Sequence, residues 1–193
     1  MKGKKSLAIF ASGKGSNAKN IIQYFKNNKD LKIALIVSSH KEAGVLALAR
    51  EEKIPAYILD KKEYYGTGEH LIRELNNHRV DGIILAGFLW LVPMYLIEGY
   101  PRKIINIHPS LLPKYGGKGM YGMHVHEAVW KNKEKMTGIT IHEINTRYDE
   151  GKIIFQASIT LDPLDTPHDI AQKVHHLEYK HFPKVIEDYF VRI

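Results

Sequence analysis

The sequence predicts an α/β protein: a doubly wound, mostly parallel sheet with an antiparallel C-terminal strand pair and a C-terminal helix. Two observations carry this expectation. Short apolar runs alternate with segments of helical period along most of the chain, the pattern of repeated βα units. Glycine-bearing turns follow the first and fourth apolar runs, and in such sheets ligands bind beyond the carboxyl ends of the strands.

Taken in order, residues 7–11 form the first strand, and the helix after it places Ile21, Ile22 and Phe25 on one face. Residues 33–37 are the second strand, 43–53 a helix, 56–59 a short strand, 63–77 a further helix and 82–86 the fourth strand. The fifth strand, 104–107, runs into a Pro- and Gly-rich loop over 109–122 and then a helix over 124–131. Two more strands, 139–144 and 153–161, are separated by a polar turn at 145–151, which suits an antiparallel pair. Thr166 followed three residues later by Asp169 reads as a capping box, with Asp in place of Glu or Gln, opening a helix to Tyr179. No internal repeat, linker or low-complexity stretch interrupts this order, so the expectation is one domain over residues 1–193.

With 44% hydrophobic and 25% charged residues, the composition sits near the globular average and argues against a disordered, collagenous or repeat-built chain. The chain has no cysteine, which excludes disulfides, thiolate zinc sites, iron–sulfur clusters and a cysteine nucleophile, and suits a reducing compartment. Its longest nearly apolar stretch, 82–94, is interrupted by Pro93 and falls short of the ~20 residues needed to span a bilayer. The start Met1-Lys2-Gly3-Lys4-Lys5 imitates a secretory leader, but the apolar run behind it is shorter than the ~7–15 residues expected. A cytoplasmic protein without membrane association is therefore expected. The net charge of +7, from 28 Lys+Arg against 21 Asp+Glu, favours anionic partners. Because the basic residues are scattered and mixed with acids, as in Lys61-Lys62-Glu63, a solvated surface is preferred to a nucleic-acid patch. A phosphorylated small substrate would use the same field.

Three loops are candidates for chemistry: 12–17, 87–93 and the segment from Asn106 onward. In Ser12-Gly13-Lys14-Gly15-Ser16-Asn17 the glycines let backbone approach an anion, and free amides at the helix start then point at it. Gly13-x-Gly15-x-x-Ala18 also satisfies a dinucleotide fingerprint, but the second strand ends in Ser38-Ser39-His40 where that fingerprint needs an acidic residue. A single phosphate is the better ligand; a ligand-free tight turn is the alternative. In Asn106-Ile107-His108-Pro109, side chains two apart share a face, so Asn106 and His108 can converge and donate to a developing oxyanion. Prolines 109 and 113 stiffen the loop beyond. Asp149, on the turn Tyr148-Asp149-Glu150-Gly151, supplies a carboxylate, although an Asp near a Gly is commonly a plain turn residue. His124 and His126, two apart on a helix, face different ways, so no metal site is expected.

The order of these motifs, Gly15-Ser16-Asn17, Leu85-Ala86-Gly87-Phe88, Asn106-Ile107-His108-Pro109-Ser110-Leu111-Leu112-Pro113 and the distal Asp149, resembles the folate-dependent phosphoribosylglycinamide formyltransferases along the whole chain. The resemblance implies a Rossmann-like formyltransferase fold and transfer of a formyl group from 10-formyltetrahydrofolate to the amine of glycinamide ribonucleotide in purine synthesis. It implies a phosphate-binding half over about 1–100 and a folate-binding, catalytic half over about 101–193. By the same resemblance Asn106, His108 and Asp149 are catalytic, and Gly15, Ser16, Asn17 and Glu178 hold the phosphate and ribose. Lys62, Leu89, Trp90, Leu91, Val92, Asn106, Asn145 and Tyr148 would contact the folate, with Lys62 standing where relatives often have Arg and Trp90 where they often carry a basic residue. No metal, nucleic acid or membrane is implied, and either a monomer or a homodimer is compatible. The segment 114–124 is longer than the family's common version, and would be either a mobile cover or an idle surface loop. A formyl-folate hydrolase is the alternative enzyme, disfavoured, like transfer to methionyl-tRNA, because those proteins carry an added domain that this chain is expected to lack. A nonenzymatic nucleotide-binding module is the alternative outside catalysis.

Overall fold

A computed structural model describes residues 3–193; Met1 and Lys2, the head of the charged lead-in, lie outside the described residues. The elements are β1 (Lys5–Ala11), α1 (Ser16–Phe25), β2 (Leu31–Ser38), α2 (Gly44–Glu51), β3 (Ala56–Ile58), α3 (Lys61–Tyr65) and α4 (Glu69–Asn77). There follow β4 (Val80–Leu85), α5 (Met94–Gly99), β5 (Ile104–His108), α6 (Met123–Lys131), β6 (Met136–Glu143), β7 (Ile153–Thr160) and α7 (Pro167–Arg192). One sheet runs through them in the order β3-β2-β1-β4-β5-β6-β7. Pairing is parallel from β3 to β5, and β6 is antiparallel to both β5 and β7.

The central strands are covered on both faces, so they read as continuous apolar runs rather than alternating ones. Each residue from Leu7 to Ala11 is fully buried. Successive side chains still point to opposite faces. Leu7, Ile9, Ile36, Ile84, Ile105 and Ile107 join one core with α1, α2, α6 and α7. Ala8, Phe10, Leu35, Ile83, Leu85 and Ile104 join the other, with α3, α4 and α5. Each such Leu or Ile contributes about 1.5–3 kcal/mol by leaving water, and truncating one to Ala would cost about 2–5 kcal/mol.

Three elements differ from the sequence reading. The expected helix over 63–77 is two helices, α3 and α4, broken at residues 66–68. Asp60 caps α3 by accepting from the Glu63 amide, and Gly68 adopts φ +66°, where a Cβ would overlap the Tyr95 ring. The six-residue α5 was not expected, because so short a run behind Pro93 carries no measurable period. The C-terminal helix does not stop at Tyr179 but continues to Arg192 through Pro183. Proline cannot donate to the carbonyl four residues back, and the Tyr179 carbonyl accepts instead from Asn20 Nδ2 at 3.0 Å. Its capping box at Thr166 and Asp169 is formed as the sequence indicates.

The strand order reverses beside β1, between β1 and β4, and opens a crevice beyond their carboxyl ends. There Ser12 ties three loops together. Its amide donates to the Gly87 carbonyl at 3.0 Å, and its hydroxyl oxygen accepts from the Leu89 amide at 3.0 Å and from the Ser39 hydroxyl at 2.6 Å.

Candidate active site

At the N-terminal end of the crevice, Gly15 precedes α1 with φ +81°. An L side chain rarely adopts that angle, and a Cβ there would press on the Val45 side chain of α2 at 2.9 Å. The first-turn amides of α1 have no intrahelical acceptor. No side chain caps them and no acidic residue stands in that turn, so the end remains electropositive. Asn17 turns inward and donates through Nδ2 to Glu178 Oε2 at 2.9 Å. Glu178 is buried and lies 3.0 Å from His175 Nδ1. The Glu178 hydrogen bond holds His175 above the ordinary imidazole pKa. Among the described residues, Asn17 Oδ1 and His126 Nδ1 are buried polar atoms with no hydrogen-bond partner. Burial pushes His126 down to about 4, against the opposing pull of Glu178.

At the other end, β5 presents Asn106 and His108 on one face, and the antiparallel register sets His142 of β6 directly opposite Asn106. Nδ1 of His142 donates to the Glu143 carbonyl at 2.9 Å, so Nε2 carries the lone pair and accepts from Asn106 Nδ2 at 3.1 Å. Asn106 keeps its second Nδ2 hydrogen free. The β6–β7 turn swings Asp149 into this group, with Oδ1 3.6 Å from His142 Nε2 and Oδ2 3.5 Å from His108 Nδ1. Asp149 adopts φ +57°, an uncommon angle for a non-glycine residue. Asn145 braces the turn, accepting from the Arg147 amide and donating to the Glu150 carbonyl.

His108 Nε2 donates to the Tyr115 carbonyl at 2.7 Å, and Asp149 Oδ2 accepts from the Gly117 amide at 2.9 Å. Burial lowers the His108 pKa, and neither the Asp149 charge nor the Tyr115 hydrogen bond fully opposes it. Burial alone would raise Asp149, but the adjoining His142 and His108 rings and the Gly117 amide outweigh it and hold the carboxyl below its usual range. The resting pair near neutrality is an ionised Asp149 beside a neutral His108 whose proton sits on Nε2.

Both ends open into one cleft of about 590 Å³. Among the residues expected at the site, Gly15, Ser16, Asn17, Leu89, Asn106, His108, Tyr148, Asp149 and Glu178 line it. The other expected folate contacts lie outside that lining. Lys62 is on the exposed side of α3, and Val92 is buried in the second core. Trp90 packs among Tyr64, Tyr65 and Phe88, with ring centroids 5.3 to 6.2 Å away, beside a half-buried Leu91. Asn145 serves the turn beneath Asp149. His142, His126 and His175 were absent from the sequence-derived set. Only His142 carried a signal, its place on one strand of the expected antiparallel pair, and its position beside β5 appears only in the register. His124 is exposed while His126 faces the cleft, so the two do not converge.

A family model described as formyl transferase matches residues 5–186. The chain belongs to the formyl transferase family. It is 38% identical over 187 residues to the phosphoribosylglycinamide formyltransferase of Bacillus subtilis (strain 168), covering 95% of this chain and 93% of that one. It is also 38% identical over 190 residues to the chloroplastic phosphoribosylglycinamide formyltransferase of Arabidopsis thaliana, covering 95% of this chain but only 64% of that relative's length. The crystal structure of phosphoribosylglycinamide formyltransferase from Bacillus halodurans superposes with a TM-score of 0.86 at 32% identity, covering 95% of this chain and 94% of that one. Among the described residues, no helix of the chain is long and apolar enough to cross a membrane.

Proposed function

We propose that the chain transfers the formyl group of 10-formyltetrahydrofolate to the amine of glycinamide ribonucleotide, yielding N-formylglycinamide ribonucleotide and tetrahydrofolate in purine synthesis. The observation that carries this reading is a single cleft joining the electropositive start of α1 to the Asn106–His108–Asp149 group. Names of relatives at 38% identity support it. The residues present fit both substrates. Asn17 Oδ1 and His126 Nδ1 offer unpaired polar atoms at the ribonucleotide end, and the exposed apolar surface of Leu89 and Tyr148 offers a wall for a pterin ring.

In this reading the backbone amides of Gly15, Ser16 and Asn17 hold the phosphate, and Glu178 accepts from the ribose hydroxyls. A carbon–nitrogen bond forms between the glycyl nitrogen and the formyl carbon, the bond from that carbon to the folate nitrogen breaks, and one amine proton passes to the departing nitrogen. His108 Nδ1, unprotonated at rest, receives that proton directly or through water. The imidazolium so formed faces the ionised Asp149 carboxylate, which stabilises it, and then returns the proton to the leaving nitrogen. The free Nδ2 hydrogen of Asn106, held by His142, and the protonated Nδ1 of His108 donate to the oxyanion on the formyl carbon; each such donor is worth ~100–1,000-fold.

The test is a formyl-transfer assay that compares glycinamide ribonucleotide with water as acceptor. Formylated product that depends on the amine is expected. Hydrolysis of the formyl-folate at a rate indifferent to the amine would replace transferase with hydrolase. Tight NAD binding with no folate binding would replace both with a nucleotide-binding module.

A further inference from the structure

The loop from Pro109 to Gly122 touches both members of the reacting pair within three consecutive residues. The Tyr115 carbonyl accepts from His108 Nε2 at 2.7 Å, and the Gly117 amide donates to Asp149 Oδ2 at 2.9 Å. Gly116, between them, lies so close to Asp149 that an added Cβ would stand 3.2 Å from the Asp149 Cβ and would crowd Leu112. This segment is itself held from a distance. Glu134, after α6, accepts through Oε1 from the Tyr115 hydroxyl at 2.9 Å and from Lys114 Nζ at 2.9 Å. The Ser110 hydroxyl adds a bond to the Lys114 carbonyl at 2.7 Å. Hydrogen bonds from Lys114 and Tyr115 hold the Glu134 carboxyl below its usual range, so it is ionised at neutral pH.

The backbone of this segment is strained where the tether attaches. Tyr115 adopts φ +57°, a left-handed conformation that costs an L residue about 1–2 kcal/mol and that glycine adopts freely. The side chain bearing that strain is the one whose hydroxyl reaches Glu134. Strain of this kind persists only where surrounding contacts hold it. Two of the contacts that do so here are the hydroxyl bond outward to Glu134 and the carbonyl bond inward to His108.

We propose that Glu134 is a positioning residue for formyl transfer, acting through Tyr115 to fix which ring nitrogen of His108 carries the resting proton. With the Tyr115 carbonyl in place, Nε2 is the protonated atom, and Nδ1 is left bare beside Asp149 to receive the amine proton. If the carbonyl moves away, that preference is lost. Nδ1–H then competes by donating to the Asp149 carboxylate, and the ring can no longer accept a proton at that atom. The Gly117 amide would loosen with it and release Asp149 from part of what keeps it ionised. Glu134 touches no reacting atom, so its effect falls on turnover and its pH dependence rather than on substrate binding.

This inference rests on the reading of His108 and Asp149 as reacting groups, so its experiment has one arm that does not depend on activity. Nitrogen NMR of the histidine rings of the full-length protein reports the protonated atom of His108 directly. The parent is expected to give the Nε2–H form, and Glu134→Ala a mixture of the two tautomers. In the transfer assay Glu134→Ala should lower kcat by ~10-fold, the scale of a small misplacement of a reacting group, with KM for both substrates little changed and the acid limb of the pH–rate profile displaced. Glu134→Gln should recover most of the loss, because its amide oxygen still accepts from Tyr115, and Tyr115→Phe should resemble Glu134→Ala. A single Nε2–H tautomer retained in Glu134→Ala would overturn the proposal. So would turnover per folded molecule and a pH profile equal to the parent's, even with a lowered melting temperature, since the tether would then be structural only. A parent inactive with either acceptor would instead overturn the formyl-transfer reading, while the tautomer measurement would still decide what Glu134 does to His108.

Discussion

The two ends of the cleft are built from different material. At the start of α1 the cleft is lined by main-chain amides, fixed by a glycine at φ +81° with no room for a Cβ against Val45. At the carboxyl ends of β5 and β6 they are side chains, Asn106, His108, His142 and Asp149, gathered from two strands and a turn. Amides of a helix start carry a fixed partial charge and do not titrate near neutrality, so that end suits binding. The imidazole and carboxylate can exchange protons, so the other end suits chemistry. Mutations at the two ends should therefore separate cleanly into effects on affinity and effects on turnover.

The largest effect is expected where charge develops only during reaction. His108→Ala and Asn106→Ala should each lower kcat by at least ~100-fold with an unchanged circular-dichroism spectrum; normal turnover in either variant removes that residue from the reacting set. Asp149→Asn keeps the shape of the turn but removes the ionised partner of His108. It should lose most activity while retaining folate affinity measured by calorimetry. In the parent, activity should fall as pH drops below the ordinary imidazole value of ~6.5, because the proposed reaction needs His108 neutral and Asp149 ionised, and both are shifted downward. The limb belongs to the coupled pair, and an Asp149→Asn profile identical to the parent's would return Asp149 to the status of a turn residue.

His126 lines the cleft and offers a stability measurement rather than a kinetic one. Its folded pKa is pushed down to about 4 by burial, so the unfolded chain takes up a proton first as pH falls. Stability is then full above ~6.5, declines as pH drops from there towards 4, and loses about 3 kcal/mol through this one group. Urea unfolding across that range should show the slope, and His126→Gln should flatten it by a corresponding amount. An unchanged slope in the variant would mean that other groups carry the acid sensitivity.

Smaller effects belong to the binding end. In Gly15→Ala the added methyl meets Val45 and the positive φ is strained by about 1–2 kcal/mol. Affinity for glycinamide ribonucleotide should fall about tenfold, and folate affinity should hold. The cause is displacement of the helix start by α2, not a methyl group standing in the phosphate's place. Equal loss of both ligands would mean that the loop supports the whole cleft. Lys14→Ala should matter least, less than about threefold, since an exposed ammonium is screened by solvent and is not needed when amides hold the anion. A larger loss from Lys14 than from Gly15 would invert the comparison between the two ends.

The sequence by itself determined the alternation of strands and helices, the buried faces of the central strands, the glycine turn before α1 and the pairing of Asn106 with His108. These follow from local rules: side-chain period, the left-handed freedom of glycine, and the two-residue repeat of a strand. The break at Gly68 and the passage of α7 through Pro183 were decided by contacts from elsewhere in the chain, the Tyr95 ring and the Asn20 amide. The site divides the same way. Asp149 was legible as a carboxylate on a turn, but its approach to His108 depends on how β6 and β7 pair. His142 lies opposite Asn106 only through the β5–β6 register, which no local pattern states. His108 Nε2 meets the Tyr115 carbonyl, a group every residue possesses and no sequence motif can mark. Local chemistry is written in residue types, whereas the protonation and aim of those residues depend on long-range hydrogen bonds to the backbone, which exist only once the chain has closed around them.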